Sequence, residues 1–255
     1  WNAWKGKLLE DLYKLTVRTL GGRAPDPGAV IESRKRQALI QLALASEPQD
    51  SHKRLWDTLE VSYFMRHDAG EIAWHTRQLA RHAVRPVATK TEAAGAGGAS
   101  AGTVKTFETI VRARLSPVGE GLQVLVYAAD QPDLFARICG YFDRAGFSIL
   151  DAKIHTTRNG RALDTFQIIN PLVPDHNREF IGMVEAELPA AVESQAPLAP
   201  PRLGRVSRRV KSFPIAPRVD LRPDDKAQRW LLTVTASDRV GLLYSIARVL
   251  AAHGI

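Results

Sequence analysis

The chain has 255 residues and one cysteine, Cys139, which admits one large domain or two to three small ones and excludes an intramolecular disulfide and a Cys-rich zinc site. The net charge of +8 raises the question of nucleic acid. The excess sits in Arg34-Lys35-Arg36 and in Arg202, Arg205, Arg208, Arg209 and Lys211, neither group interleaved with aromatics, so it reads as solvated surface and linker charge and no nucleic-acid partner is expected.

No apolar run approaches membrane-spanning length, and the start WNAWKGKLLEDL lacks the basic n-region and apolar h-region of a signal peptide. No membrane partner is expected, and the cytoplasm is the default location. The chain begins without Met inside an amphipathic pattern and stops after AAHGI, so it reads as a piece of a longer protein.

Residues 1 to about 87 read as helical. AWKGKLLEDLYKLTVRTL places Trp4, Leu8, Leu12, Leu15 and Leu20 near helical spacing, and Gly21-Gly22 ends it. AVIESRKRQALIQLALA carries Val30, Ile31, Leu39, Leu42 and Leu44 with charge on its other face. Pro48 and Asp50 break that helix, and Ser51 is the expected cap of the next, HKRLWDTLEVSYFM, which aligns Leu55, Leu59 and Phe64. AGEIAWHTRQLARHA follows, with Ile72, Leu79 and Ala83 inward, and Pro86 stops it.

The dipeptide His67-Asp68 invites a metal-site reading, with His75 further on. The spacing favours another role: Asp68 caps the helix from Ala69, and Glu71 stands three residues later, as a capping box requires. His75 and His82 share a face and read as packed or exposed, while His52, His155, His176 and His253 read as isolated. No metal ligand set and no catalytic residue is expected in this chain.

Residues 88–103 form an Ala/Gly linker; its AGAGGASAG has neither a preceding strand nor a closing Lys-Ser/Thr and is no phosphate loop. The pattern then changes to strand LQVLVYAAD, helix QPDLFARICGYFDRAG, strand FSILDAKIHTT, turn RNGRA, strand LDTFQIIN and helix DHNREFIGMVEAELPAAVE. This is the opening of a ferredoxin-like βαββαβ unit over 104–224, with a Pro/Arg-rich insertion at 195–217. RVDL at 218–221 is the expected sixth strand. Cys139 lies on the apolar face of its helix and reads as core. The expected class is α+β.

From residue 225 the unit restarts. RWLLTVTASDRVGLLYSIARVLAAHGI repeats LQVLVYAADQPDLFARICGYFDRAGF, matching Asp130 to Asp238, Leu134 to Leu242, Ile138 to Ile246 and Gly146 to Gly254. Only the N-terminal half of this second unit falls within 225–255.

The repeat resembles the ACT domain, most clearly at Asp238-Arg239-Val240-Gly241-Leu242. That resemblance implies a small-molecule sensor, commonly of amino acids. Backbone N–H groups at a helix N-terminus suit a carboxylate, and Gly241 lets a ligand approach the backbone. Asp238 would meet the ligand amine or order the turn, and the N–H groups near Gly241 and Leu242 would meet its carboxylate. The equivalent turn of the first copy, Asp130-Gln131-Pro132-Asp133-Leu134, is the second candidate. It carries Asp133 where the second copy has Gly241, a carboxylate that would repel a ligand carboxylate or simply serve the helix N-terminus.

NAWKGKLL, YFMRHDAGEIAWHTRQL, DRAGFSILDAKI, FPIAPRV and DRVGLLYSIARVLAAHGI together resemble the C-terminal half of the PII-protein uridylyltransferase/uridylyl-removing enzyme family. The resemblance implies a parent enzyme that uridylylates a tyrosine of the PII signalling protein from UTP, using Mg²⁺. It also implies an HD domain that removes the UMP and tandem ACT domains that sense glutamine. The transferase motif is missing here, and in this family the HD metal pair lies N-terminal to NAWKG. Residues 1–87 therefore correspond to trailing HD-domain helices, and the fragment alone is expected to be inactive. The alternative is a non-enzymatic amino-acid-binding module with a helical docking or dimerisation segment.

Overall fold

In a computed structural model, residues 3–21, 26–80, 108–170, 176–202, 215–224, 229–237 and 239–254 are described. The linker expected at 88–103, most of the Pro/Arg-rich insertion, and His82, Ala83 and Asp238 lie outside them. The architecture is α+β, as the element pattern predicts. The chain forms two compact units, residues 1–131 with 149–194, and residues 132–148 with 195–255.

The first unit opens with α1 (Ala3–Leu20), whose Leu12, Leu15 and Leu20 are exposed. Helix α2 (Pro27–Leu44) starts where Asp26 accepts hydrogen bonds from the Gly28 and Ala29 N–H groups, with Pro27 at its first position. It buries Ile31, Ala38 and Leu42, whereas Leu39 and Leu44 face outward. The expected third helix is two short ones, α3 (Lys53–Trp56) and α4 (Val61–Arg66). Ser51 does not cap α3. Its N–H bonds Pro48 O within a turn that runs directly into the helix, so the N-cap, His52, is itself helical and uses no side chain. Helix α5 (Ala69–Leu79) begins at the predicted capping box, with Asp68 accepting from the Glu71 N–H at 2.9 Å and Glu71 from the Asp68 N–H at 3.0 Å.

A four-stranded antiparallel sheet follows in the order β1-β2-β4-β3, with β1 Ile110–Leu115, β2 Leu122–Ala129, β3 Ser148–Lys153 and β4 Arg161–Ile169. Ile110, Leu125, Tyr127 and Leu163 join Leu42, Leu55, Tyr63, Phe64, Ile72 and Leu79 in one core, so helices α2, α4 and α5 cover one sheet face. Helix α7 (Asn177–Glu193) packs on β1, burying Val184, Leu188 and Val192. Burial on both faces explains why β2 reads as a nearly continuous apolar run.

The second unit pairs α6 (Leu134–Arg144) with α8 (Leu242–Ala252) and carries a hairpin of β5 (Arg218–Asp224) and β6 (Arg229–Thr235). Gly140 lets the two helices meet, because a Cβ there would lie 2.9 Å from the Tyr244 ring. Cys139 is buried, as core placement requires.

The sixth-strand expectation is overturned. Residues 218–224 pair with β6 along their length and join no other strand among the described residues, while the edge beside β2 is filled by β1, which the element pattern missed. The spacing that aligns Asp130 with Asp238 also aligns Ile110 with Arg218. The repeated piece therefore starts one strand earlier, as strand, hairpin, strand, turn, helix and left-handed Gly, with Gly146 at φ 81° and Gly254 at φ 72°.

Candidate functional site

The densest polar constellation lies where α4 and α5 meet the sheet, with Glu71 at its hub. One Glu71 oxygen accepts from Gln123 Nε2 at 2.7 Å and Lys153 Nζ at 2.7 Å, and the other from Lys153 Nζ at 2.8 Å, the Asp68 N–H and His67 Nδ1 at 3.2 Å. Burial alone would raise the Glu71 carboxyl. The His67 hydrogen bond and the Lys153 ammonium outweigh it and hold Glu71 below the usual carboxylate range. Strand alternation supplies the partners: Gln123, Leu125 and Tyr127 share one parity of β2, and Leu163 and Thr165 share one parity of β4. Arg114 reaches the same face, donating to Gln123 at 2.8 Å and lying over the Trp74 ring at 4.1 Å. The β3–β4 turn grips the helices too, through Arg158 N–H to Thr58 O at 2.8 Å and Arg158 Nε to Glu60 at 3.1 Å.

Three histidines gather around Tyr63. His67 lies 4.9 Å from His75 and 5.1 Å from His155 between ring centroids, and Tyr63 contacts all three rings. His75 engages both nitrogens, Nδ1 with the Tyr63 hydroxyl at 2.7 Å and Nε2 with Thr165 Oγ1 at 3.3 Å. His67 Nε2 and His155 Nε2 are buried and have no hydrogen-bond partner among the described residues. Burial depresses all three imidazoles, His75 well below the ordinary value and His155 to about 4. A carboxylate can only accept, so His67 Nδ1 carries the proton of its bond to Glu71. Asp164, on the opposite parity of β4, accepts from the His155 N–H at 3.3 Å and is pushed up to about 7, chiefly by burial. Among the described residues no group of three or more His, Cys, Asp or Glu could hold a metal ion.

The two candidate ligand turns are built differently. In the second copy Arg239 is exposed, its O accepting from the Leu242 N–H and its Nη2 lying 3.4 Å from Ser245 Oγ. Val240 is half exposed, and Leu242 opens α8. Gly241 sits at φ 72°, ψ 10°, so the glycine is required by left-handed backbone at the helix start. Its pro-Cβ position faces Asp143 Oδ1 at 3.0 Å and Arg202 O at 3.2 Å. The carboxylate of Asp143 accepts from the Arg202 N–H at 2.8 Å through Oδ2, and its buried Oδ1, beside that turn, has no hydrogen-bond partner among the described residues.

In the first copy Asp130 accepts from Thr156 Oγ1 at 2.9 Å, and Gln131 Nε2 donates to Val192 O. Pro132 is exposed and Leu134 is buried. Asp133 stands at the N-cap of α6 at φ −105°, makes no side-chain cap and pairs instead with Arg137 at 2.6 Å.

Sequence reasoning saw Glu71 only as a capping residue and treated His155 as isolated, so the cluster was missed. The signal available was a parity one. Gln123 interrupts LQVLVYAA and Thr165 interrupts LDTFQII on the side that carries Tyr127 and Leu163. Polar groups on a buried strand face must find partners.

The family model described as "Uridylyltransferase GlnD fifth domain" matches residues 26–78, the stretch from the α2 cap to the end of α5. Over its whole length the chain is 52% identical to a protein of Ralstonia nicotianae named "Bifunctional uridylyltransferase/uridylyl-removing enzyme", covering 28% of that protein. Proteins of the same name from Cupriavidus pinatubonensis and Burkholderia lata are each 50% identical, with 27% of each covered. The chain thus spans little more than a quarter of the length of these curated relatives. No solved structure matches.

Proposed function

From this kinship with bifunctional uridylyltransferase/uridylyl-removing enzymes along the entire chain, we propose that it is a regulatory segment of such an enzyme, one that sets the balance between uridylylating and deuridylylating the PII protein. The observation that carries this reading is the 52% identity over an alignment that spans the whole chain. The substrates would be PII and UTP, handled by parts of the enzyme beyond this segment, and the helices of residues 1–87 would be the trailing part of the HD domain. The Mg²⁺ such an enzyme would use finds no fitting group of ligands among the described residues.

The repeat supports a small-molecule role, with glutamine as effector. Gly241 leads into α8, where the Leu242 N–H is taken by Arg239 O but the next N–H groups lack intrahelical acceptors and suit a carboxylate.

Titration calorimetry of glutamine on the full-length enzyme tests the reading. Val240→Glu places a carboxylate in the turn at a half-exposed position that packing does not constrain. Affinity is expected to fall at least about tenfold, the order of one like-charge contact. Unchanged affinity would sink the site. Gly241→Asp is unsuitable, because left-handed backbone and the neighbouring Asp143 would strain any side chain there.

A further inference from the structure

The seam between α4–α5 and the sheet is held by polar groups that accept no additional charge. His67 and His155 each bury an Nε2 that has no partner among the described residues, and each lies about 5 Å from the other ring, His67 also from His75. The charges facing them are mostly positive: Arg66 from α4, Arg114 from β1 and Lys153 from β3. The opposing carboxylates come from the helix side, Asp68 at the α5 cap and Glu71. Asp68 already accepts the Glu71 N–H, and Glu71 already accepts from Lys153, Gln123, His67 and the Asp68 N–H. A proton arriving on Nε2 of His67 or His155 finds no acceptor among the described residues and stands beside a second imidazole that it makes harder to protonate, and at His67 the Glu71 carboxylate offsets only part of the burial cost.

We infer that this seam is a proton-sensitive joint: it stays closed while His67, His75 and His155 are neutral, and acidification releases α4–α5 from the strand face bearing Gln123, Tyr127 and Thr165. Opening gives the imidazoles water, and they take up protons together. The sign follows from linkage. The closed state binds fewer protons than the open one, so closure is complete above the ordinary imidazole value of 6.5 and is lost as pH falls below it. Asp164 does not reverse this: it takes up its own proton near pH 7, but it lies on the other face of β4, so its surroundings are the same whether the helices are seated or lifted. The joint belongs to this chain whichever small molecule the repeat binds.

Hydrogen exchange followed by mass spectrometry on the full chain at pH 7.5, 6.5 and 5.5, corrected for intrinsic rates, reads the joint. Peptides covering 61–79 and 122–129 are expected to open more often below pH 6.5, by up to about 100-fold per pH unit if two protons are taken up. Peptides of α7 (177–193) should hold their protection. The double variant His67→Gln/His155→Gln should reduce the pH slope to what His75 alone supplies. A flat wild-type profile, an unchanged slope in the double variant, or equal loss in α7 would each overturn the joint. Should the double variant not fold, nitrogen-15 NMR of the wild-type imidazoles decides. Uptake at His67 and His155 in one step steeper than a single proton is the expected result. Two independent titrations near 6.5 would refute it.

Discussion

Replacing Glu71 by Gln keeps the shape of the side chain and removes its charge. The native carboxylate accepts from Lys153 twice, from Gln123, from the Asp68 N–H and from His67. An amide offers one oxygen to those donors and turns its own N–H₂ toward the rest. Lys153, at 23% side-chain exposure, can swing toward water, but Gln123 and His67 are buried and cannot. The loss is one charge-assisted bond, worth about 1.5–3 kcal/mol, plus at least one orphaned buried donor at about 1–3 kcal/mol, less whatever relaxation recovers. A net destabilisation of about 3 kcal/mol is expected, which lowers the melting temperature by about 6–12 °C for a chain of this size. Lys153→Met keeps the hydrocarbon stem and should cost about 1–3 kcal/mol. In a double-mutant cycle by urea denaturation at pH 7.5, the two changes should couple by about 1–3 kcal/mol. A Glu71→Gln loss under about 1 kcal/mol with coupling near zero would refute the hub. The acid behaviour follows: with its carboxyl held low, Glu71 stabilises the fold above its ordinary value of 4.5, and that contribution is lost as pH falls below it.

Asp164 has the opposite sign. Its carboxyl is raised from 3.8 to about 7, so the stability of the neutral form is complete below 3.8 and is lost as pH rises through about 7. Asp164→Asn mimics the protonated acid and should match the wild type near pH 4 but exceed it at pH 8 by about 1–4 kcal/mol in chemical denaturation; equal stability at pH 8 would contradict the burial argument. Gly146→Ala and Gly241→Ala both force a side chain into left-handed backbone, at φ 81° and φ 72°. Only at Gly241 does the new Cβ press on neighbours, Asp143 Oδ1 and Arg202 O. Each should cost about 1–2 kcal/mol, with Gly241 the worse by about 1 kcal/mol in thermal unfolding; equal costs would show that the contact yields freely.

What the sequence makes legible here is whatever depends on neighbours along the chain. The bounds of α1 and the capping box at Asp68 and Glu71 are readable because helix period and cap spacing are local. The strand Ile110–Leu115 escaped notice because Arg112 and Arg114 alternate with its apolar residues and mask a strand buried at one end only. Its omission left an edge of the sheet empty, and residues 218–221 were drawn in by analogy to fill it. Once β1 is placed, that strand belongs with β6, and the repeat lengthens by one element without any change in spacing. The histidine cluster was illegible for a different reason: His155 reaches His67 only through the register of β3 and β4 against the helices. Gly241 combines both cases. Sequence alone gives the residue two uses, ligand access and a tight turn, and the backbone at φ 72° with Asp143 against it establishes the second. A ligand at this turn therefore has to be recognised through the helix N–H groups and through side chains such as Val240 and Arg239, not through space that the missing Cβ leaves open. That is why the informative variant lies at Val240.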